Sequence, residues 1–334
     1  MRDPPRYRFD EFNEAKWSDV RVIRAQNAGR NQKKKRSTPP RNVSSARAIS
    51  RSRIEPVAFI APGILLVFAV MLYPTIHGVW MSLFDTNIFT GQTWFVGINQ
   101  YVTLFQDANF QNALRQSLVL VFGTVSVGIV VSVTTALVMH HVPKGGRIWR
   151  TVVLIPWLIS GIAIASIWRA IFAPTGGYAT SLAMRLGLGR ITWFANPTLT
   201  MAIIILVSVW AFSPFATLII YSGLKTVSQE LYESASLDGA NGAQCFRYIT
   251  IPSIAPQFSL GMIFLSFGAF NSFDIILLMT GGGPGRSTQV LAILLYRLGF
   301  ERLDSHAAAA VMVVLLVINL VLSIFYIKIL PSRD

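Results

Sequence analysis

Residues 231–256 read LYESASLDGANGAQCFRYITIPSIAP, a polar, turn-rich stretch between two apolar runs. It carries Glu233, Asp238 and Arg247, two glycines and two prolines. The flanking runs, about 199–223 and 256–280, are each long enough to cross a bilayer, which takes roughly 20 apolar residues. Four more segments reach that length, about 57–84, 114–139, 151–173 and 306–330. The expected fold is all-α, a polytopic membrane protein with six transmembrane helices. Pro62, Pro74, Pro156 and Pro214 fall inside these runs, where neighbouring helices of a bundle accommodate them.

Composition agrees. Of the 334 residues, 53% are hydrophobic and 13% charged, and the mean hydropathy is +0.52. Soluble domains carry about 25% charged residues. The formal net charge of +14 is unevenly spread, with about half of the lysines and arginines in residues 1–56. That tail, including RNQKKKRSTPPRNVSSARAISRSR, lacks hydrophobic periodicity and has too little apolar area to offset the entropy of ordering. It is expected to be a basic, mostly disordered cytoplasmic tail. No short apolar region opens the chain, so no cleaved signal peptide is expected. A basic run can hold nucleic acid, but next to a transmembrane segment anionic lipid is the expected partner, with no nucleic acid. The organisation expected is therefore a tail over 1–56, a first transmembrane helix and external loop over 57–112, and a transmembrane core over 113–330.

An even number of spans leaves both termini on one side. Lys144, Arg147 and Arg150 follow the second span, Lys225 and Arg247 the fourth, and Lys328 and Arg333 close the chain. The first opposite loop, DTNIFTGQTWFVGINQYVTLFQDANFQNAL, has no basic residue, although Arg185, Arg190, Arg286, Arg297 and Arg302 lie in the other two. Basic loops stay in the cytosol, so both termini and the 224–255 loop are expected to be cytoplasmic.

A chain reversal needs about 2–8 residues, far fewer than the 224–255 loop contains. Within it, Ser228 is placed to cap a short helix through Glu233 and Leu237, and Glu230 and Glu233 share a face. The DGANGA run then breaks that helix, because Gly239 and Gly242 tolerate conformations other residues avoid. Phe246, Ile249 and Ile251 give a second apolar-faced piece leading to Pro252 and Pro256. Two short helices at an angle present a knob to something cytoplasmic. The alternative is a plain linker.

The stretch ESASLDGANGAQCFRYITIPSIAP resembles the EAA loop of bacterial ABC-importer permeases: Glu-Ala-Ala, then Asp-Gly-Ala, then a hydrophobic stretch ending in Leu-Pro. Glu233, Ala235, Asp238, Gly239, Ala240, Phe246, Ile249, Pro252 and Pro256 stand at the family's spacing, with Ser234 in place of the first Ala and Ile251 in place of the Leu. The resemblance covers about 57–330 and implies the type I ABC importer permease fold in a bacterial plasma (inner) membrane. It also implies that the loop docks on an ATPase subunit, with Glu233, Ala235, Asp238, Gly239, Ala240, Phe246 and Pro252 as the coupling residues. LYPTIHGVWMSLFD, FVGINQYVTLFQDANFQNAL and FGAFNSFDIILLMTGGGPGRST resemble the first helix, first external loop, and fifth helix with outer loop of sugar permeases.

Several chemistries are not expected. GGGPGRST looks like a phosphate-binding loop, but Arg286 stands where the motif needs Lys and Thr280 where it needs the first Gly. No hydrolase or zinc-protease motif occurs, so no catalytic residue is assigned. His77, His140, His141 and His306 lack ligand spacing and Cys245 is single, so neither a metal site nor a disulfide is expected. The resemblance puts ATP and magnesium on the partner ATPase and leaves no cofactor in this chain. It implies a second permease subunit, two ATP-binding subunits and an extracytoplasmic sugar-binding protein. An alternative within the architecture is a non-sugar solute such as a glycerophosphodiester; a remote one is a basic-tailed membrane scaffold.

Sugar hydroxyls pair with amides and carboxylates, and the apolar face of a sugar stacks on aromatic rings. SVWAFSPF and FNSFD supply such groups in the fourth and fifth spans, Asp274 is the one clear acid inside a span, and Asn319 lies midway along the sixth. Maltose-type permeases hold sugar between the corresponding helices. Aligned to them, the substrate-path positions are Ser208, Ala211, Phe212, Phe215, Phe270 and Asn271, to which Asp274 and Asn319 are added. The bland reading of the aromatics is packing against neighbouring helices or lipid.

Overall fold

The computed structural model describes residues 60–86, 90–141 and 146–329. The tail over 1–56, Lys144 and Arg333 lie outside these. The first apolar helix is Ile60–Met81 (α1). A two-stranded antiparallel hairpin follows, Phe84–Thr86 (β1) against Thr93–Phe95 (β2), in the register Phe84↔Phe95, Asp85↔Trp94 and Thr86↔Thr93. This hairpin departs from the all-α expectation. Its edge-on pair Phe84–Phe95, with centroids 5.4 Å apart, continues through Trp80.

Helices account for most of the rest. They are Asn99–Gln106 (α2), Ala108–His141 (α3), Gly146–Leu158 (α4), Gly161–Ile171 (α5), Tyr178–Arg185 (α6) and Pro197–Leu224 (α7). Two short helices follow, Gln229–Leu237 (α8) and Gly242–Ser253 (α9). The chain then runs through Ala255–Phe270 (α10), Phe273–Thr280 (α11), Leu291–Tyr296 (α12) and Ser305–Ile329 (α13).

α3, α7 and α10 pack together at the centre of the unit beginning at Ala69. On α3 the buried positions Phe110, Ala113, Ser117, Leu120, Thr124, Gly128, Ser132, Ala136 and Met139 recur every three or four residues, one face of a 3.6-residue helix. Small residues dominate that stripe and let backbones approach, as membrane helices require. The Ser132 hydroxyl donates to the Ser213 carbonyl of α7 at 3.1 Å, and Thr217 donates to the same oxygen at 2.8 Å, beside Pro214. α7 starts at Asn196, whose side chain accepts from the backbone N–H of Thr198 and Leu199, followed by Pro197 at the first turn.

Four helices, α1, α3, α7 and α13, are long and apolar enough to cross a membrane. The expected third span consists of α4 and α5 bent by 92°, turning where Ser160 caps α5 by accepting from Ala163 N–H. The expected fifth span is also divided: α10 ends at Phe270, Asn271 and Ser272 form a break, and α11 resumes at Phe273. α11 packs against α5, so the second break lies beside the first bend.

Candidate functional site

The 224–255 loop folds as its residues dictate. The Ser228 hydroxyl accepts from Glu230 N–H and starts α8. The helix ends in a Schellman motif: Gly239 N–H donates to the Ser236 carbonyl at 3.1 Å and Ala240 N–H to the Ala235 carbonyl at 2.9 Å. Such a cap needs a left-handed residue, and Gly239 has φ of +82°. Asn241 and Gln244 then form a reciprocal capping box that begins α9. The hydroxyls of Tyr232 on α8 and Thr250 on α9 meet at 2.9 Å and tie the two helices together.

The pair is seated on the core from one side and open on the other. Ile254 is fully buried, Phe246 and Val227 pack on the core cluster, and α10 leaves α9 at 76°. Glu230, Glu233, Asp238, Leu231, Leu237 and Tyr248 are exposed, Leu237 by 90%. Glu233 accepts only the Gln229 amide, at 3.0 Å, and no cation among the described residues pairs with it. Ala235, Ala240 and Pro252 are half-buried. The structure thus brings the seven expected coupling residues together in one projecting two-helix unit.

The expected substrate-path residues divide. Phe270, Asn271 and Asn319 line one cavity of about 870 Å³, formed by α10, α12 and α13 with Ile219 of α7. Asn271 caps α10, its side-chain amide donating to the Phe267 carbonyl at 2.8 Å, and Asn319 donates likewise to Leu315 at 2.9 Å. Each bond uses one amide hydrogen and leaves the carboxamide oxygen able to accept. Phe264, Phe267, Phe273, Tyr296 and Phe300 supply its aromatic walls, and Ser323 adds a hydroxyl. Among the described residues, the lining holds no lysine, arginine, histidine, aspartate or glutamate.

The other five lie elsewhere. Ser208 and Ala211 are buried in α7, and the Ser208 hydroxyl has no partner among the described residues. The Phe212 ring packs onto Gly268, where a Cβ would come within 2.7 Å of it. Phe215 stacks between Trp157 and Phe264, with centroids 4.7 and 4.4 Å away. Asp274 is exposed and lies against Gly161 at the α4–α5 bend. Phe264 is the one ring that touches both groups, facing Phe215 and lining the cavity. Sequence reasoning passed over Leu260, Phe264 and Phe267, although with the expected Asn271 their spacing of three and four marks one helix face.

The GGGPGRST loop between α11 and α12 is held by its own framework. Arg297 donates to the Gly281 carbonyl at 2.7 Å and to Gln289 at 3.2 Å, the hydroxyls of Thr280 and Thr288 meet at 2.8 Å, and Asn112 donates to the Arg286 carbonyl at 3.0 Å. The Arg286 guanidinium also reaches the Asn109 side chain. Among the described residues, no group of three or more His, Cys, Asp or Glu is placed to hold a metal ion.

Known proteins resemble this chain along most of its length. Residues 128–332 match the family described as binding-protein-dependent transport system inner membrane component. A probable ABC transporter permease protein of Brucella suis biovar 1 (strain 1330) is 33% identical over 281 residues, covering 84% of this chain and 97% of the relative. The sn-glycerol-3-phosphate transport system permease protein UgpA of Escherichia coli (strain UTI89 / UPEC) is 30% identical, with 87% and 99% covered. The trehalose/maltose transport system permease protein MalF of Thermococcus litoralis is 29% identical, with 81% and 91% covered. In fold, a chain of a bacterial ABC transporter involved in import of the acidic polysaccharide alginate superposes with a TM-score of 0.71 at 24% identity, covering 85% of this chain and 96% of that one. The same importer in complex with its alginate pentasaccharide-bound periplasmic protein matches with the same score, covering 86% and 99%.

Proposed function

This chain belongs to the binding-protein-dependent transport system inner membrane components, and we propose that it forms half of the translocation pathway for a neutral sugar. It is a non-catalytic, membrane-embedded permease subunit of an ATP-driven importer. In this reading a second permease completes the pathway, two ATP-binding subunits carry ATP and magnesium, and an extracytoplasmic binding protein delivers the sugar. Both termini and the α8–α9 unit face the cytosol, as the distribution of basic residues supports.

One observation carries the substrate class. The cavity beside the α10 break joins carboxamides and hydroxyls to aromatic walls and, among the described residues, is lined by no charged side chain. A neutral polyol finds hydrogen-bond partners and stacking faces there. Phosphate or carboxylate groups instead call for arginine or lysine. A second reading, import of a glycerol phosphate ester, has the name of the Escherichia coli relative in its favour; it requires the second permease to supply the cations.

The α8–α9 unit is the coupling element in this reading. A ligand shifts a conformational equilibrium only through differential contacts with its two states, so ATP bound on a partner acts through whatever this chain presents to that partner. Glu233 is the anchor for a basic residue of the ATPase, and Gly239 shapes the knob that carries it. α8 and α9 join α7 to α10, so moving them moves the elements around the cavity.

The substrate test is uptake into vesicles holding the assembled complex with its binding protein. Labelled neutral oligosaccharides, glycerol 3-phosphate and an oligouronate are offered separately. Import of a neutral sugar, inhibited by no anion, is expected; import restricted to the phosphate ester or the uronate contradicts the assignment.

A further inference from the structure

Arg115 stands on α3 about 10 Å along the axis from the first residue, Ala108, in a helix long and apolar enough to cross a membrane. Its side chain is exposed, and among the described residues it has no hydrogen bond, ion pair or ring contact. A cation on a membrane-crossing helix is costly unless an anion meets it. One turn earlier, the Gln111 amide donates to the Phe105 carbonyl at 2.9 Å and keeps a second N–H.

The surface beside Arg115 says what kind of anion. Leu114 and Leu118 form a ridge with a hollow on each side. One, of about 370 Å³, lies between α2, α3 and α13 and is walled by Phe105, Val314 and Val317. Its one hydroxyl-bearing residue, Tyr101, is already bonded to Ser82, so this hollow offers nothing to a polar head. The other, of about 430 Å³, has Gln111 and Arg115 on one side and the exposed Val119 and Phe122 further along the helix. A small soluble anion would use the arginine and leave both hollows uncovered. A single-chain amphiphile would fill one of them. A diacyl lipid uses all three features, its head on the cation and one chain on each side of the ridge.

We propose that Arg115 holds the phosphate of an anionic phospholipid whose two acyl chains straddle the Leu114–Leu118 ridge. Gln111 adds its free amide N–H to the headgroup. The occupied site packs α2 and α13 against α3 through the chain between them. This site is independent of which solute is carried.

The test uses the whole complex in nanodiscs of phosphatidylcholine. These are doped with phosphatidylglycerol carrying a photoreactive diazirine on an acyl chain or, separately, with phosphatidylcholine so labelled. After irradiation, mass spectrometry quantifies lipid attached to peptides covering 114–122 and 313–318. The parent complex favours phosphatidylglycerol at both, and Arg115→Gln, at an exposed position, reduces that preference about fivefold. Arg115→Lys keeps most of it. Peptides of α1 over 60–81 show the same ratio in all three proteins. An unchanged ratio at 114–122 in the glutamine variant overturns the site, as does an equal fall at α1. Absence of labelling by either lipid means that another protein covers the ridge, and it overturns the proposal too. Replacing chloride by inorganic phosphate at equal ionic strength leaves the preference intact; its loss marks a free-anion site and overturns the lipid assignment.

Discussion

At Gly239 the backbone φ of +82° closes α8, and no atom lies within 4 Å of where a Cβ would stand. Any cost of substitution is therefore conformational rather than steric. Asn, which visits the left-handed region readily, is expected to preserve function, whereas β-branched Val pays about 1–2 kcal/mol or reshapes the turn. Uptake should be near the parent rate for Gly239→Asn and strongly reduced for Gly239→Val. Equal rates for the two would separate the turn from function. In the cavity, Asn271→Ala and Asn319→Ala each remove one acceptor from the sugar, a loss of roughly 1–3 kcal/mol. Each should raise the sugar concentration that half-saturates uptake while the complex still assembles. Unaltered kinetics in both would remove this cavity from the path. The turn at Gly239 was legible from residue type and spacing, and Glu233, Asn271 and Asn319 stood out as candidates by residue type, place in the chain and family resemblance. Tyr296 and Phe300 did not stand out, because they reach the cavity from α12 and the turn that follows it, which no helical periodicity connects to α10.

Between elements, Phe212 of α7 packs tightly on Gly268 of α10. Gly268→Ala overpacks that contact and should lower stability by about 1–3 kcal/mol. Phe212→Leu in the same chain should restore much of the loss, because it removes the ring the new methyl meets. Thermal unfolding of the detergent-solubilised complex reads both. A Gly268→Ala protein as stable as the parent contradicts the packing. The existence of each apolar span could be read from hydropathy, but its straightness could not. Hydropathy counts apolar residues along the chain and ignores whether the helix axis continues. Ser160 followed by Gly161, and Asn271 followed by Ser272, were the local signs of the two interruptions. Likewise, Ser208, Phe212 and Phe215 share a helix with good sugar-binding chemistry, yet Phe212 and Phe215 turn to α10 and α4 and Ser208 is buried. Which face of a helix meets which neighbour is a tertiary fact that one sequence does not contain.

Across the whole molecule, the distribution of basic residues leads to the expectation that α2 lies outside and α8 in the cytosol. With Cys245 changed to Ser, a membrane-impermeant thiol reagent added from outside should label Asn99→Cys and spare Ser236→Cys, both exposed positions. The reverse pattern would invert the topology and remove the ATPase contact from α8 and α9. Energy from ATP enters this chain only where a partner touches it, and the two-helix unit between α7 and α10 is held together by Tyr232 and Thr250 while its acidic, apolar-tipped face stays open. The most direct measurement is therefore sugar-stimulated ATP hydrolysis together with sugar uptake, in the same vesicles, by complexes carrying Glu233→Ala or Gly239→Val. Coupling through α8 predicts that sugar-loaded binding protein no longer stimulates hydrolysis and that uptake falls with it, while the complex inserts and the binding protein still takes up sugar. Stimulation and uptake at the parent rates in both variants would contradict it and leave residues 224–255 as a linker.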